Sequence, residues 1–218
     1  VGDFGKTSEF LLEREIPIRG VAGDQQAALF GQGCFDKGTF KATYGTGSFL
    51  LLNTGDTRVQ SEAGLLSTLA VARDGSPCFA LEGSVFSSGS TIQWLRDGLG
   101  ILDSAEQSEE LAKSVDDSGG VVLVPAFTGL GAPHWDANAR AGLFGLTRGT
   151  TRAHLARAAL EGICLQNAEL IEVLRNETGL AVDSLLADGG ATRNDLLMQL
   201  QADLTGARVL RHAEVEAT

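Results

Sequence analysis

Apolar positions recur with different periods along this chain, and the changes in period divide it into elements. The clearest helical pattern runs from Arg152 to Asn176, where Leu155, Ala159, Ile163, Leu170 and Leu174 recur near every 3.6 residues. Ser84 to Gly100 predicts another helix, with Val85, Ile92 and Leu95 on its apolar stripe. A more acidic helix fills "SAEQSEELAKSV" (residues 104–115), and a small apolar one follows Asp24 through Ala27, Ala28, Leu29 and Phe30. Strand patterns cluster earlier. "TFKATYGTGSFLLLNTG" (residues 39–55) predicts a hairpin broken at Gly45-Thr46-Gly47, and "LLSTLAVA" and "CFALEG" predict two strands around a turn at Asp74-Gly75. "EIPIRGVAG" (residues 15–23) predicts a short strand and a turn. "GVVLVPAF" (residues 120–127) is a continuous apolar run of the kind expected in a buried strand, and a long loop, "TGLGAPHWDANARAG", follows it. The chain closes with "SLLADGGATRNDLLMQLQADLTG" as strand, glycine turn and a helix from about Thr192, then "ARVLR" as a short strand. Clustered strands followed by alternating helices and strands predict the mixed α/β class.

Composition narrows the function classes. The 218 residues are 43% hydrophobic and 21% charged, and a chain of this length buries roughly 70% of its unfolded surface. A net charge of -11 argues against nucleic acid and anionic membranes, because phosphate backbones are held chiefly by Lys and Arg. It does not argue against one nucleotide, which backbone N–H groups can hold locally. No apolar run approaches the 18 or so residues of a membrane span. Cys34, Cys78 and Cys164 are scattered, which predicts small buried thiols in a reducing cytoplasm and no metal signature. The opening "VGDFGKTSEF" has no methionine and no signal-peptide pattern, and reads as the interior of a longer protein.

Two glycine turns are candidate phosphate sites. In "YGTGS" the missing Cβ atoms let a ligand approach backbone N–H groups, and Thr46 adds a hydroxyl. In "ADGGATRN" a strand ends at Gly189-Gly190 and the following helix turns its positive end to the same place. Both also read as ordinary turns. No GxxxxGK[ST] is present, and no GxGxxG lies between a strand and a helix. Asp24 likewise admits two readings: a helix-capping carboxylate, or a carboxylate with the Gln25 amide at the mouth of a site.

Five stretches taken together carry a resemblance: "GDQQAALFGQ", "YGTGSF", "ALEGSVFSSGSTIQWLRD", "PAFTGLGAPHWD" and "ADGGATRNDLLMQLQAD". They resemble the glycerol kinases, within the carbohydrate kinase family that has the ribonuclease H-like, actin-like ATPase fold. "AGLFGLTRGTTRAHLARAALE" matches the wider family's C-terminal signature, and the resemblance extends from Ile16 to Thr218. It implies an α/β lobe with a mixed central sheet and flanking helices. Residues 1–33 would end an N-terminal lobe, and residues 34–218 would form a C-terminal nucleotide-binding lobe without its last helices.

The implied reaction moves the γ-phosphate of ATP, with Mg2+, to a terminal hydroxyl of glycerol. Asp24 matches the catalytic base, Gln25 a glycerol hydrogen-bonding residue and Phe49 an apolar contact to the substrate. Thr46 matches a phosphate contact. Gly89, Gln93, Gly190 and Asn194 match the nucleotide pocket, with Gly190 and Asn194 on the adenosine side. No residue is implied as a metal ligand. The resemblance leaves open a kinase for a larger polyol or ketose, a non-catalytic nucleotide-binding module, and homo-oligomerisation of the full-length parent. Trp94 and Met198 read as core, Trp135 as packing its loop down, and Asp136 as an Asx turn. "KTSEFLLEREIPIRG" lacks the effector loop of some family members, and Glu13 and Glu15 would repel a phosphorylated effector. The resemblance implies a further apolar helix after "EVEAT", so an apolar face would lie open at the C-terminus.

Overall fold

The computed structural model describes residues 2–212, so the expectation for "EVEAT" lies outside the described residues. The centre is a six-stranded mixed sheet built from β1 (Phe40–Tyr44), β2 (Ser48–Gly55), β3 (Leu66–Ala70), β4 (Cys78–Val85), β7 (Ser184–Asp188) and β8 (Arg208–Arg211). Its order is β3-β4-β2-β1-β7-β8. The pairs β1–β7 and β7–β8 are parallel and the rest antiparallel, which gives the mixed sheet with flanking helices that the resemblance implies. Helices α1 (Glu9–Leu12), α2 (Asp24–Gly31), α3 (Gly89–Gln93), α4 (Gln107–Lys113), α5 (Arg152–Thr178) and α6 (Asp195–Thr205) complete the main elements.

Alternation along β1 separates the two faces of the sheet. Phe40, Ala42 and Tyr44 point into the main core, where they meet α5 through Leu160, Ile163, Leu170 and Leu174, and α6 through Leu197 and Met198. Each Phe, Leu, Ile or Met among them contributes roughly 1.5–3 kcal/mol when fully buried. Lys41 and Thr43 point the other way, to the face covered by α2, where Leu29, Cys34, Leu51 and Ala80 make a smaller cluster. A capping box of Thr151 and His154 starts α5, and Gly179, with φ 65°, ends it. That assigns His154 a local structural task.

Several predicted boundaries change, each for a visible reason. The helix expected from Ser84 begins only at Gly89, because β4 continues to Val85 through its pairing with Ser48. After Gln93 it loosens into a π-helical turn, Trp94–Gly98. The run 120–127 is a strand only at β5 (Val122–Val124), which pairs with β6 (Gly142–Phe144) in a separate two-stranded sheet and leaves Val122 half exposed. Residues 15–23 form no strand beyond an isolated bridge between Lys6 and Pro17. The acidic helix is shorter than predicted. Gly190–Arg193 is a 3-10 turn, so α6 starts at Asp195 rather than near Thr192.

Trp94 is not fully buried; it packs on Phe127 at 4.8 Å between ring centroids at the margin of the core. Met198 is buried as expected. Trp135 does hold its loop down, donating from Nε1 to Gly64 O at 3.0 Å, and Asp136 Oδ1 accepts from Asn138 N at 2.8 Å as an Asx turn does.

Candidate active site

The parallel strands β1 and β7 end side by side, with Thr43 opposite Asp188, and each runs directly into a glycine turn. Ligand sites in α/β sheets favour such carboxyl ends of strands. Gly189 has φ 91°, and a Cβ there would stand 2.5 Å from Tyr44 O, so only glycine lets the two turns lie together. The start of α3 closes on the same place. Gly89 N donates to Gly45 O at 2.9 Å, and Ser88 N and Ser90 N donate to Thr46 O at 2.9 and 3.1 Å. A Cβ on Gly89 would meet Gly45 O at 2.6 Å.

Beside these turns, on the α5 face of the sheet, lies a cleft of about 370 Å³, a size suited to a small ligand. All five residues predicted for the nucleotide side, Thr46, Gly89, Gln93, Gly190 and Asn194, line it. Ile92, Leu160, Ile163 and Leu197 give it an apolar floor, and Arg96 and Arg193 stand on its polar edge. Asn194 holds its place by capping α6: its Oδ1 accepts from Leu197 N at 2.8 Å, and its Nδ2 donates to Ser108 Oγ at 3.4 Å. Sequence reasoning did not single out Tyr44, Arg96 or Arg193. Arg96 was legible only as part of "QWLRD", and in the structure it forms a two-point pair with Asp97 at 2.7 and 2.8 Å.

Asp24, Gln25 and Phe49 do not line this cleft. They sit on the opposite, α2 face, near the same end of the sheet. Two register rows cross that face: Asp188–Thr43–Phe49–Ser84, and beneath it Leu186–Lys41–Leu51–Glu82. Gly23, not Asp24, is the N-cap of α2. Asp24 is the first helical residue, and its Oδ1 accepts from Gln25 N at 2.8 Å. The carboxylate thus satisfies one free N–H and remains exposed.

The two glutamines tie the start of α2 to the sheet. Gln25 Oε1 accepts from Lys41 Nζ, which also donates to Thr43 Oγ1 at 2.8 Å. Gln26 Nε2 donates to Thr68 Oγ1 at 3.0 Å and to Glu82 Oε2 at 3.3 Å. Lys41 is fully buried, and burial pulls its ammonium down to about 8, against the opposing pull of Asp188 and Glu82. Burial also raises Glu82, an effect that Lys41 partly offsets. Asp188 is 1% exposed, and neither of its oxygens has a hydrogen-bond partner among the described residues.

The FGGY family of carbohydrate kinases, C-terminal domain, matches residues 40–218. The chain belongs to the FGGY family of carbohydrate kinases. It is 55% identical over 215 residues to a glycerol kinase of Rhodopirellula baltica, covering 99% of this chain and 40% of that protein. It is 59% identical over 203 residues to a glycerol kinase of Alkalilimnicola ehrlichii, covering 93% and 41%. Among solved structures, Plasmodium falciparum glycerol kinase with ADP superposes with a TM-score of 0.89 at 38% identity, covering all of this chain and 44% of that one. The chain therefore spans about two fifths of the length of these relatives. The mixed sheet with helices on both faces is the FGGY, actin-like ATPase fold.

Within this chain the chemistry divides by face. One face offers an apolar cleft with glycine turns at its end, and the other an exposed carboxylate beside an anchored amide. Among the described residues no group of three or more His, Cys, Asp or Glu side chains is placed to hold a metal ion. No described helix is long and apolar enough to cross a membrane.

Proposed function

We propose that this chain is part of an ATP-dependent glycerol kinase. Residues 34–218 serve as its C-terminal nucleotide-binding lobe, and residues 1–33 as the end of the preceding lobe. The carrying observation is the convergence of Thr46, Gly89, Gln93, Gly190 and Asn194 on one cleft whose glycine turns end beside the Asp24 face. Identity above 50% to glycerol kinases supports glycerol as the acceptor. Residues 2–24 are exposed at every position but Thr7, which suits a segment whose packing partner lies elsewhere in a longer protein. Three free cysteines, all buried, suit the cytoplasm.

In this reading ATP lies with its adenosine over Ile92 and Leu160, Gly190 and Asn194 beside it, and its phosphates toward Thr46. The glycine turns suit that task, since a Cβ at Gly89 or Gly189 would clash with the backbone of Gly45 or Tyr44 and push apart the turns that shape this end of the cleft. Gln25 and Phe49 bind glycerol. Asp24 accepts the proton of a terminal hydroxyl as that oxygen bonds to the γ-phosphorus and the bond to the ADP oxygen breaks. General-base help of this kind contributes about 10²–10⁴-fold. Mg2+ brought by the nucleotide would supply neutralisation of the phosphate charge.

Asp24→Asn in the full-length protein tests the assignment. An amide preserves shape and can still accept from Gln25 N, but it takes no proton. We expect kcat to fall roughly 10²-fold or more with ATP affinity unchanged by calorimetry. A variant with nearly full kcat would reduce Asp24 to a helix-start residue.

A further inference from the structure

Two adjacent glutamines stand in the first turn of α2, directly after Asp24, and the sheet holds them in opposite senses. Gln26 turns its NH2 group down, to Thr68 Oγ1 and Glu82 Oε2. Gln25 turns its oxygen down, to Lys41 Nζ. The second orientation is chemically forced. An ammonium has three donors and no acceptor, so it can hold a carboxamide only through oxygen. Both hydrogens of Gln25 Nε2 are then left to face away from Lys41, and among the described residues that group donates to no protein atom.

Lys41 needs an explanation of its own. It stands in the middle of the sheet with no exposed surface, where an apolar residue would pack without a desolvation penalty. Its ammonium is surrounded by Asp24 and Gln25 of α2, Thr43 of its own strand, Glu82 of β4, Asp188 of β7 and Cys34 beyond α2. Asp188, with two unpartnered oxygens, supplies charge without bonding. The amide and the Thr43 hydroxyl receive the hydrogen bonds.

We propose that Lys41 is a positioning residue that locks the Gln25 amide with its donors toward the acceptor substrate. Asp24 then offers an acceptor and Gln25 a donor to a hydroxylated ligand. A hydroxyl that gives its proton to Asp24 needs exactly one kind of neighbour for its lone pairs, an N–H. A flipped Gln25 would present a second acceptor and lose that bond. The inference rests on the reading of α2 as the polyol side, and it deepens that reading by naming what selects hydroxyls there.

A double-mutant cycle in the full-length protein separates this role from simple structural support. Wild type, Lys41→Met, Gln25→Ala and the double variant are compared by glycerol-dependent ADP release. Lys41→Met should raise KM for glycerol about tenfold, the value of one hydrogen bond, and leave KM for ATP within about twofold. In the Gln25→Ala background the same change should move KM for glycerol less than about twofold. Lys41→Met leaves Glu82 and Asp188 without their cation, so Thr43→Val, which removes only the tether of Nζ, serves where that variant does not fold. It should raise KM for glycerol by about two- to threefold, again only when Gln25 is present. An equal rise in both backgrounds, or an equal rise in KM for ATP, overturns the positioning role alone. A wild-type protein with no turnover of glycerol overturns the substrate reading and this inference with it.

Discussion

Gly89→Ala is the sharpest test of the phosphate turn, because its consequence can be worked from distances. The new Cβ would stand 2.6 Å from Gly45 O and 3.4 Å from Gly45 C. Restoring an ordinary separation of about 3.4 Å to the oxygen moves the two backbones apart by roughly 0.8 Å. Neither side yields cheaply, since both atoms belong to main chain. The bond from Gly89 N to Gly45 O, now 2.9 Å, would break, and the paired bonds from Ser88 N and Ser90 N to Thr46 O would stretch. One lost hydrogen bond and the overpacking strain together cost about 2–4 kcal/mol. A shift near 1 Å at a positioning element lowers rate by about 10²-fold. In the full-length protein we therefore expect kcat/KM for ATP to fall roughly 10²-fold, together with a lower Tm.

Gly145→Ala supplies the control. Its Cβ would meet Gly120 O at 2.1 Å, and its φ is +76°, so this is a still harder backbone clash, and it lies outside the cleft lining. It should lower Tm and leave KM for ATP unchanged. If Gly89→Ala lowers Tm as Gly145→Ala does but keeps kcat/KM for ATP within about threefold of wild type, the turn is structural and the phosphate assignment is wrong.

Three further outcomes follow from the same geometry. The 218-residue chain alone should show no glycerol-dependent ADP release, because transfer requires both reactants held in line, and yet bind ATP weakly by calorimetry; clear turnover would show that no second lobe is needed. Asn194→Ala removes the cap of α6 and a wall of the cleft, so it should cost about 1 kcal/mol of stability and weaken ATP binding; loss of stability alone would leave Asn194 a cap. Lys41 has a folded pKa of about 8 against 10.5 in the open chain, so between those values the unfolded chain holds a proton that the folded one has released. Its burial penalty is then fully present below pH 8 and is relieved as pH rises, and denaturation of the full-length protein should show wild type gaining up to roughly 3 kcal/mol on Lys41→Met from pH 8 to 10.5; a constant difference would mean that Lys41 titrates normally.

Much of the fold was legible because the main sheet and α5 carry strong periodic patterns. The β1–β2 hairpin, the β3–β4 pair and α5 all lie where Gly45-Thr46-Gly47, Asp74-Gly75 and the Leu155-to-Leu174 spacing put them. Boundaries set by tertiary contact were not legible. Val85 fits a helical stripe as well as a strand end, and only its pairing with Ser48 decides. The run 120–127 looks like a core strand, but it packs against α5 and pairs outside the main sheet. Among the site residues, the cleft set was readable as motif positions. Lys41 was not, since a lysine within "FKATY" reads as the exposed member of an alternating strand. Only the covering of both faces of β1 reveals that its ammonium is buried. The reason for two glutamines was equally hidden, because their partners Lys41, Thr68 and Glu82 lie on three other strands.

The central claim is that the Asp24 face of this domain serves a three-carbon acceptor. Its most direct test is kcat/KM of the full-length protein, with ATP and Mg2+, for glycerol, xylulose and gluconate measured side by side. The account expects glycerol to exceed both others by about 10²-fold or more, since positioning of a small, well-fitted acceptor has that scale of effect. A preference for xylulose or gluconate would contradict the assignment of substrate while keeping the family, and no turnover of any of the three would make the domain a nucleotide-binding module rather than a kinase.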